Sequence, residues 1–312
     1  MVEPNDLPAS KILKEENIFV MDETRALSQR IRPLKLIIVN IMPTKIVTET
    51  QLLRLLSNTP LQIEVDWLCM ESHNSKNTSQ EHLMEFYKTF NEIKDNKYDG
   101  LIVTGAPVEK LKFEDVDYWD ELTNIFDWAN TNVFSSFFIC WASQASLYYY
   151  YGVEKYQLKE KLTGVYHHHT NPEKMRRRIL RGFDYQFYAP HSRYTSVKKE
   201  DIEKIDSLDI LASSNDAGVY LVAEKDGSRF FVTGHPEYDP DTLDKEYHRD
   251  LAKGGDCVMP KNYYKNDDVN DEILVKWRSH AYLLFSNWLN YYVYQNTPYN
   301  LDDLLKMKTT NK

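Results

Sequence analysis

The chain has 312 residues, 42% hydrophobic and 27% charged, with a formal net charge of −9; this is a globular composition long enough for one large core, and its charge argues against a general binder of nucleic acid or anionic membrane. Three cysteines, Cys69, Cys140 and Cys257, supply neither a disulfide framework nor paired metal-ligand spacing. No basic-then-apolar leader opens the sequence and no apolar run approaches the ~18 residues that span a bilayer, so a cytoplasmic location is expected.

Residues 1–33 are polar and irregular and read as an N-terminal arm closed by Pro33. Leu34–Asn40 is a strand rich in branched residues. Thr48–Leu56 has helical spacing, with Leu52, Leu53, Leu55 and Leu56 as its apolar stripe. Leu61–Leu68 alternates as a second strand, and His82–Ile93 reads as a helix. Tyr98–Gly105 is a mostly apolar strand ending in Gly105-Ala106-Pro107, Tyr118–Ala129 an amphipathic helix, Val133–Cys140 a strand and Ser143–Tyr151 the helix behind it. Strands apolar on both faces, alternating with helices, predict an α/β fold: a doubly wound, mostly parallel sheet whose ligands sit at the carboxyl ends of the strands. The second half is less regular. Asp209–Ala212, Gly218–Ala223 and Arg229–Gly234 read as additional strands, with Lys225-Asp226-Gly227-Ser228 as a hairpin turn. No linker is evident, so residues 34–300 are read as a single domain and residues 301–312 as a C-terminal tail. The arm and the aromatic C-terminal region suggest a homodimer.

Cys140 stands where the apolar run Val133–Ile139 breaks into Trp141-Ala142-Ser143-Gln144-Ala145. A side chain on such a strand-to-helix turn has backbone N–H groups and a helix N-terminus beside it, which favour a thiolate and an oxyanion. The geometry is that of a nucleophile elbow without the usual flanking glycines. The competing reading is a buried core cysteine. A second strand end carries Gly234-His235-Pro236-Glu237. Proline biases His235 toward extended backbone, where residues two apart point the same way, so the imidazole can meet a carboxylate that orients it; the competing reading is a surface turn. Lys174-Met175-Arg176-Arg177-Arg178 is a solvated face or, on the sharper reading, a phosphate site. Three adjacent histidines, His167–His169, do not converge on one metal ion in regular backbone.

Phe138–Ala145 together with Thr233–Asp239 resembles the homoserine O-acyltransferases of methionine biosynthesis, distant relatives of class I glutamine amidotransferases. Asn40-Ile41-Met42-Pro43, Gly105-Ala106-Pro107, Glu160–Tyr166, Ala189–Tyr194 and Trp288–Gln295 extend the resemblance over about residues 34–300. It implies a flavodoxin-like core and a transferase in which Cys140 carries the acyl group of an acyl-CoA as a thioester. His235 is then the base and Glu237 its orienter, and Lys161, Ser192 and Arg249 bind homoserine. The backbone N–H groups of Trp141 and Val108 are the expected oxyanion donors. Within the family, glutamate two residues after the proline of Gly-Ala-Pro accompanies acetyl-CoA, and glycine accompanies succinyl-CoA. The position is Glu109 here, so acetyl transfer is expected, with acetyl-CoA a co-substrate and no cofactor or metal. The alternatives are a succinyl donor, a glutamine amidohydrolase, or an inactive binding module of the same fold. Phe138 and Ala142 stand where the amidohydrolases carry glycine.

Overall fold

Runs of branched and aromatic residues without a polar face need cover from both sides, and the computed structural model supplies it. The structure describes residues 2–3, 7–16, 21–22, 32–73, 77–254 and 257–304. Nine principal strands are β1 (Leu34–Val39), β2 (Ile63–Leu68), β3 (Tyr98–Val103), β4 (Val133–Ile139), β5 (Lys155–Thr170), β6 (Gln186–Val197), β7 (Leu208–Ser214), β8 (Gly218–Glu224) and β9 (Arg229–Val232). They form one sheet in the order β2-β1-β3-β4-β9-β8-β7-β5-β6. The first five are parallel, and the pairings from β9 to β6 are antiparallel. Three two-residue strands, Val2–Glu3, Met21–Asp22 and Tyr87–Lys88, extend the β2 side.

The principal helices are α1 (Pro8–Glu15), α2 (Lys45–Leu56), α3 (Gln80–Phe86), α4 (Trp119–Asn132), α5 (Trp141–Tyr151), α6 (Thr242–Ala252) and α7 (Arg278–Trp288). Strand alternation sorts the core into two layers. Leu36, Ile38, Phe137 and Ile139 face α1, α2 and α7, whereas Ile37, Val39 and Phe138 face α4 and α5. Val39 pairs with Val103, Val103 with Phe138, and Ile139 with Val232. The carboxyl ends of β1, β3, β4 and β9 therefore lie side by side, and Cys140 lines one crevice together with the loops that leave β1, β3 and β9.

The doubly wound sheet with additional strands is as expected; the structure differs in three places. Within the arm read as irregular, Pro8–Glu15 is a helix: Pro8 sits in its first turn, where the missing N–H costs nothing, and Ala9 and Leu13 are buried. Glu16 then grips Arg54 of α2 at 2.7 Å. The expected helix 82–93 breaks at Tyr87, whose hydroxyl donates to Glu49 (2.7 Å) and accepts from Asn40 (2.8 Å). That tertiary pairing pulls Tyr87 into extended backbone beside Trp67, and Thr89 with Glu92 caps a new turn. Finally, β5 and β6 form a long hairpin that was left unread: the apolar alternation at the start of β5 is broken at Glu160, and the register on β6 shifts between Gln157 and Leu162. Most of the remaining arm and residues 305–312 of the tail lie outside the described residues.

Candidate active site

One residue separates β4 from α5, and it is Cys140. Its backbone adopts φ 50° and ψ −113°, a region that costs a side-chain-bearing residue on the order of 1–3 kcal/mol. Both neighbours over-determine it. Its N–H donates to Val232 O at 2.7 Å, while its carbonyl accepts from Ser143 N (3.0 Å), Gln144 N (3.3 Å) and Ser143 Oγ (2.6 Å). The thiol is buried at the N-cap of α5. First-turn N–H groups have no intrahelical acceptor, and the helix dipole favours negative charge there. Trp141, the first helical residue, is fully buried.

His235 arrives from the parallel neighbour. Beyond β9 the chain passes Gly234, where a Cβ would lie 2.7 Å from Pro190 O and 2.9 Å from the Tyr220 ring. Only glycine allows that approach, and His235 N then donates to Pro190 O at 2.9 Å. The imidazole stacks on Tyr238 with centroids 4.1 Å apart, and its Nδ1 meets Glu237 Oε1 at 2.6 Å. Glu237 reaches it through a turn, closed by Tyr238 N to His235 O at 3.2 Å, rather than through the extended backbone expected from Pro236. The other carboxylate oxygen, Oε2, is buried with no hydrogen-bond partner among the described residues, so Glu237 is committed to the imidazole. Burial alone would lower the His235 pKa. The Cys140 sulfur and the Glu237 carboxylate outweigh it and hold the pKa well above the ordinary histidine value. Gly105 backs the pair: a Cβ there would stand 3.1 Å from His235 Cε1 and 3.3 Å from Cys140 Cβ.

Thiol and imidazole open into a cavity of about 280 Å³ whose wall also includes Val108, Glu109, Lys161, Ser192 and Arg249. The expected site residues thus share one cavity, with Trp141 and Glu237 packed behind it. Its far side is a charge cluster. Lys161 Nζ bonds Asp250 Oδ2 at 2.8 Å and lies 3.7 Å from Glu246 Oε2. Glu246 also accepts from Ser192 Oγ (2.5 Å) and Tyr238 OH (2.8 Å). Arg249 points both Nε and Nη2 at Asp250 Oδ1, at 3.0 and 2.8 Å. Burial lowers the Lys161 pKa, but Glu246 and Asp250 more than restore it, so the ammonium stays charged. Glu246, Arg249 and Asp250 converge because positions i, i+3 and i+4 share one face of α6. Sequence reasoning singled out Arg249 alone. The same spacing, with Tyr238 at the end of the His-Pro-Glu turn, was the available signal for Glu246 and Asp250. Glu109, half-buried, lines the same cavity. Burial raises its carboxyl pKa, against smaller opposing effects from its own backbone, His235 and Lys161.

Two other sequence features lie elsewhere. In β5, His167 and His169 share one face, 4.7 Å between centroids, while His168 points to the other and is fully buried. His168 Nδ1 faces Tyr166 O at 2.9 Å, which only accepts, so the proton is on Nδ1. Its Nε2 then accepts from His191 Nε2 at 3.0 Å. No cluster of metal-binding type occurs among the described residues. In the basic run, Lys174 and Arg177 both pair with the buried Asp209 of β7, at 2.8 and 3.1 Å, so these two cations hold the segment against the sheet.

A thiol elbow and an imidazole at adjoining strand ends of this sheet define a class I glutamine amidotransferase-like fold. A glutamine amidotransferase from Thermotoga maritima superposes with a TM-score of 0.53 at 12% identity, covering 83% of this chain and 98% of that one. One from Methylobacillus flagellatus gives 0.51 at 10%, covering 83% and 94%. Within that fold, the family model for homoserine O-succinyltransferase matches residues 1–299, and the chain belongs to this homoserine O-acyltransferase family. A homoserine O-acetyltransferase of Catenibacterium mitsuokai is 72% identical over 306 residues, 98% of either chain. One of Petrotoga mobilis is 59% identical, covering 96% of this chain and 97% of its own.

Proposed function

We propose that the chain transfers the acetyl group of acetyl-CoA to the γ-hydroxyl of L-homoserine, giving O-acetyl-L-homoserine for methionine biosynthesis. The observation that carries this reading is a single cavity containing a strained thiol, its imidazole and a charge cluster suited to a zwitterion, with Glu109 in the wall. Cys140 attacks the thioester carbonyl, the bond to the CoA sulfur breaks, and the departing thiolate takes a proton from His235. His235 then removes the proton of the homoserine hydroxyl as its oxygen attacks the acyl-enzyme, and returns that proton to Cys140 as the ester leaves. Glu237 holds the imidazole in orientation and balances its charge. Both steps pass through an oxyanion, for which the Trp141 and Val108 N–H groups are the donors, each worth about 3 kcal/mol. Arg249 receives the homoserine carboxylate, exchanging Asp250 for it, and Lys161, Ser192 and Glu246 hold the rest of the amino acid.

The relatives are acetyltransferases, whereas the family takes its name from succinyl transfer. Glu109 favours acetyl, because its carboxylate opposes that of a succinyl group and occupies its space. The chemistry needs no metal or organic cofactor. The partners are the two small-molecule substrates, and the enzyme acts in the cytoplasm as a homodimer, with residues 34–300 as its catalytic domain. No described helix is long and apolar enough to cross a membrane. The test is intact mass after mixing with acetyl-CoA, followed by homoserine. One acetyl group on wild type, none on Cys140→Ser, and discharge with homoserine are expected. No adduct and no homoserine-dependent CoA release would exclude the transferase reading.

A further inference from the structure

A second cavity, of about 220 Å³, adjoins the first. The two share a wall made of Met42, Pro43, Pro107 and Val108, the loops that leave β1 and β3. From that wall the second cavity runs between buried Met70 and Tyr118 and half-buried Leu83 to exposed His73 and Asn77. We infer that this cavity is the subsite for the pantetheine arm of the acyl-CoA donor, with the thioester entering past Val108 and the nucleotide end emerging beside His73 and Asn77. The inference rests on the transferase reading above and adds the donor's route to it.

Charge and size carry the assignment. The far side of the first cavity is lined by Lys161, Glu246, Arg249 and Asp250, which fit a zwitterion and would leave an uncharged arm facing ion pairs it cannot satisfy. Homoserine and the acyl group must also share that space. The arm is long, thin and mostly apolar, with two amides, and needs an apolar channel with a few polar contacts. Met70, Leu83 and Tyr118 provide the first; Lys45, whose ammonium donates to Asn40 O in the same wall, and His73, held by Asp117 at 2.7 Å and edge-on to Tyr118, provide the second. The channel has one end at the predicted oxyanion donor Val108 and the other at the surface, the two places the reactive and nucleotide ends of the donor must reach.

Leu83→Trp fills the channel without touching the first cavity. Steady-state kinetics with acetyl-CoA and with the acetyl thioester of N-acetylcysteamine, which lacks most of the arm, compare the two donors. The expected result is a KM for acetyl-CoA raised at least ten-fold more than that for the short thioester, with the KM for homoserine unmoved. Equal effects on both donors, or none on either, would overturn the assignment. Cys69 lines the same channel and gives a measurement on wild type that does not depend on the variant folding. Saturating CoA should slow maleimide labelling of Cys69 at least five-fold, read by peptide mass spectrometry, and leave Cys257 unaffected. Undiminished labelling of Cys69 would overturn the assignment. Wild-type acetylation of homoserine from the short thioester reports on the transfer chemistry separately, so loss of the subsite and loss of the transferase reading give different results.

Discussion

Replacing Glu109 by glycine is expected to open the enzyme to succinyl-CoA. Glu109 lines the cavity that holds Cys140 and His235, so the distal carboxylate of a bound succinyl group comes within a few ångströms of it. Two like charges about 5 Å apart at an effective dielectric of 20–40 repel by roughly 2–3 kcal/mol. Glu109 is only half-buried, so the lower figure applies, about a 30-fold bias in kcat/KM. Glu109→Gln removes the charge and keeps the volume; Glu109→Gly removes both. The assay is CoA release with homoserine, comparing kcat/KM for the two donors. Succinyl-CoA relative to acetyl-CoA should gain about 30-fold in Glu109→Gln and more in Glu109→Gly. The raised pKa of Glu109 adds a pH signature. A carboxyl with a raised pKa becomes neutral earlier as pH falls, so relative use of succinyl-CoA by wild type should rise on acidification, and this rise should vanish in Glu109→Gln. No relative gain for succinyl-CoA in Glu109→Gly would refute the gate.

Gly105→Ala should place a methyl 3.1 Å from His235 Cε1 and 3.3 Å from Cys140 Cβ, spreading the pair by a few tenths of an ångström. A fall in kcat of about ten-fold is expected with little change in melting temperature, and full activity would show that the Cys140–His235 spacing is not critical. Burial holds the His168 pKa down to about 3 and that of His191 well below the ordinary value. As pH falls below about 6.5 the unfolded chain binds protons that these two histidines refuse in the fold, so each removes up to about 1.4 kcal/mol of stability per pH unit. Urea unfolding at pH 7.5 and 5.5 should show the loss, and His168→Gln should lessen it; an unchanged pH dependence in that variant would assign the acid sensitivity elsewhere.

Much of the parallel half was legible because its signals are local. Leu34–Val39, Tyr98–Val103 and Val133–Ile139 are apolar on both faces, which only a covered sheet accommodates. Cys140 stood out for the same reason, since an abrupt change from strand to helix composition marks a turn with one residue to spare. What failed depends on distant partners. The helix expected through Tyr87 stops because Glu49 and Asn40, far away in the chain, hold its hydroxyl. The hairpin β5–β6 went unread because the alternation of Tyr156, Leu158 and Leu162 with polar neighbours is broken at Glu160, within the stretch where the register on β6 shifts.

The sequence by itself determined the alternation of strands and helices, the turn that carries Cys140, and the succession of His235 and Glu237, all encoded within a few residues of one another. Only the tertiary structure decided that these features face one cavity, because the register of β4 on β9 pairs Ile139 with Val232 and so sets Cys140 beside the approach to His235. It also decided that Glu246 and Asp250 complete the charge cluster. A helix face has a direction only once the helix is docked, and α6 is docked so that its charged edge bonds Lys161 and Ser192 directly in the cavity wall.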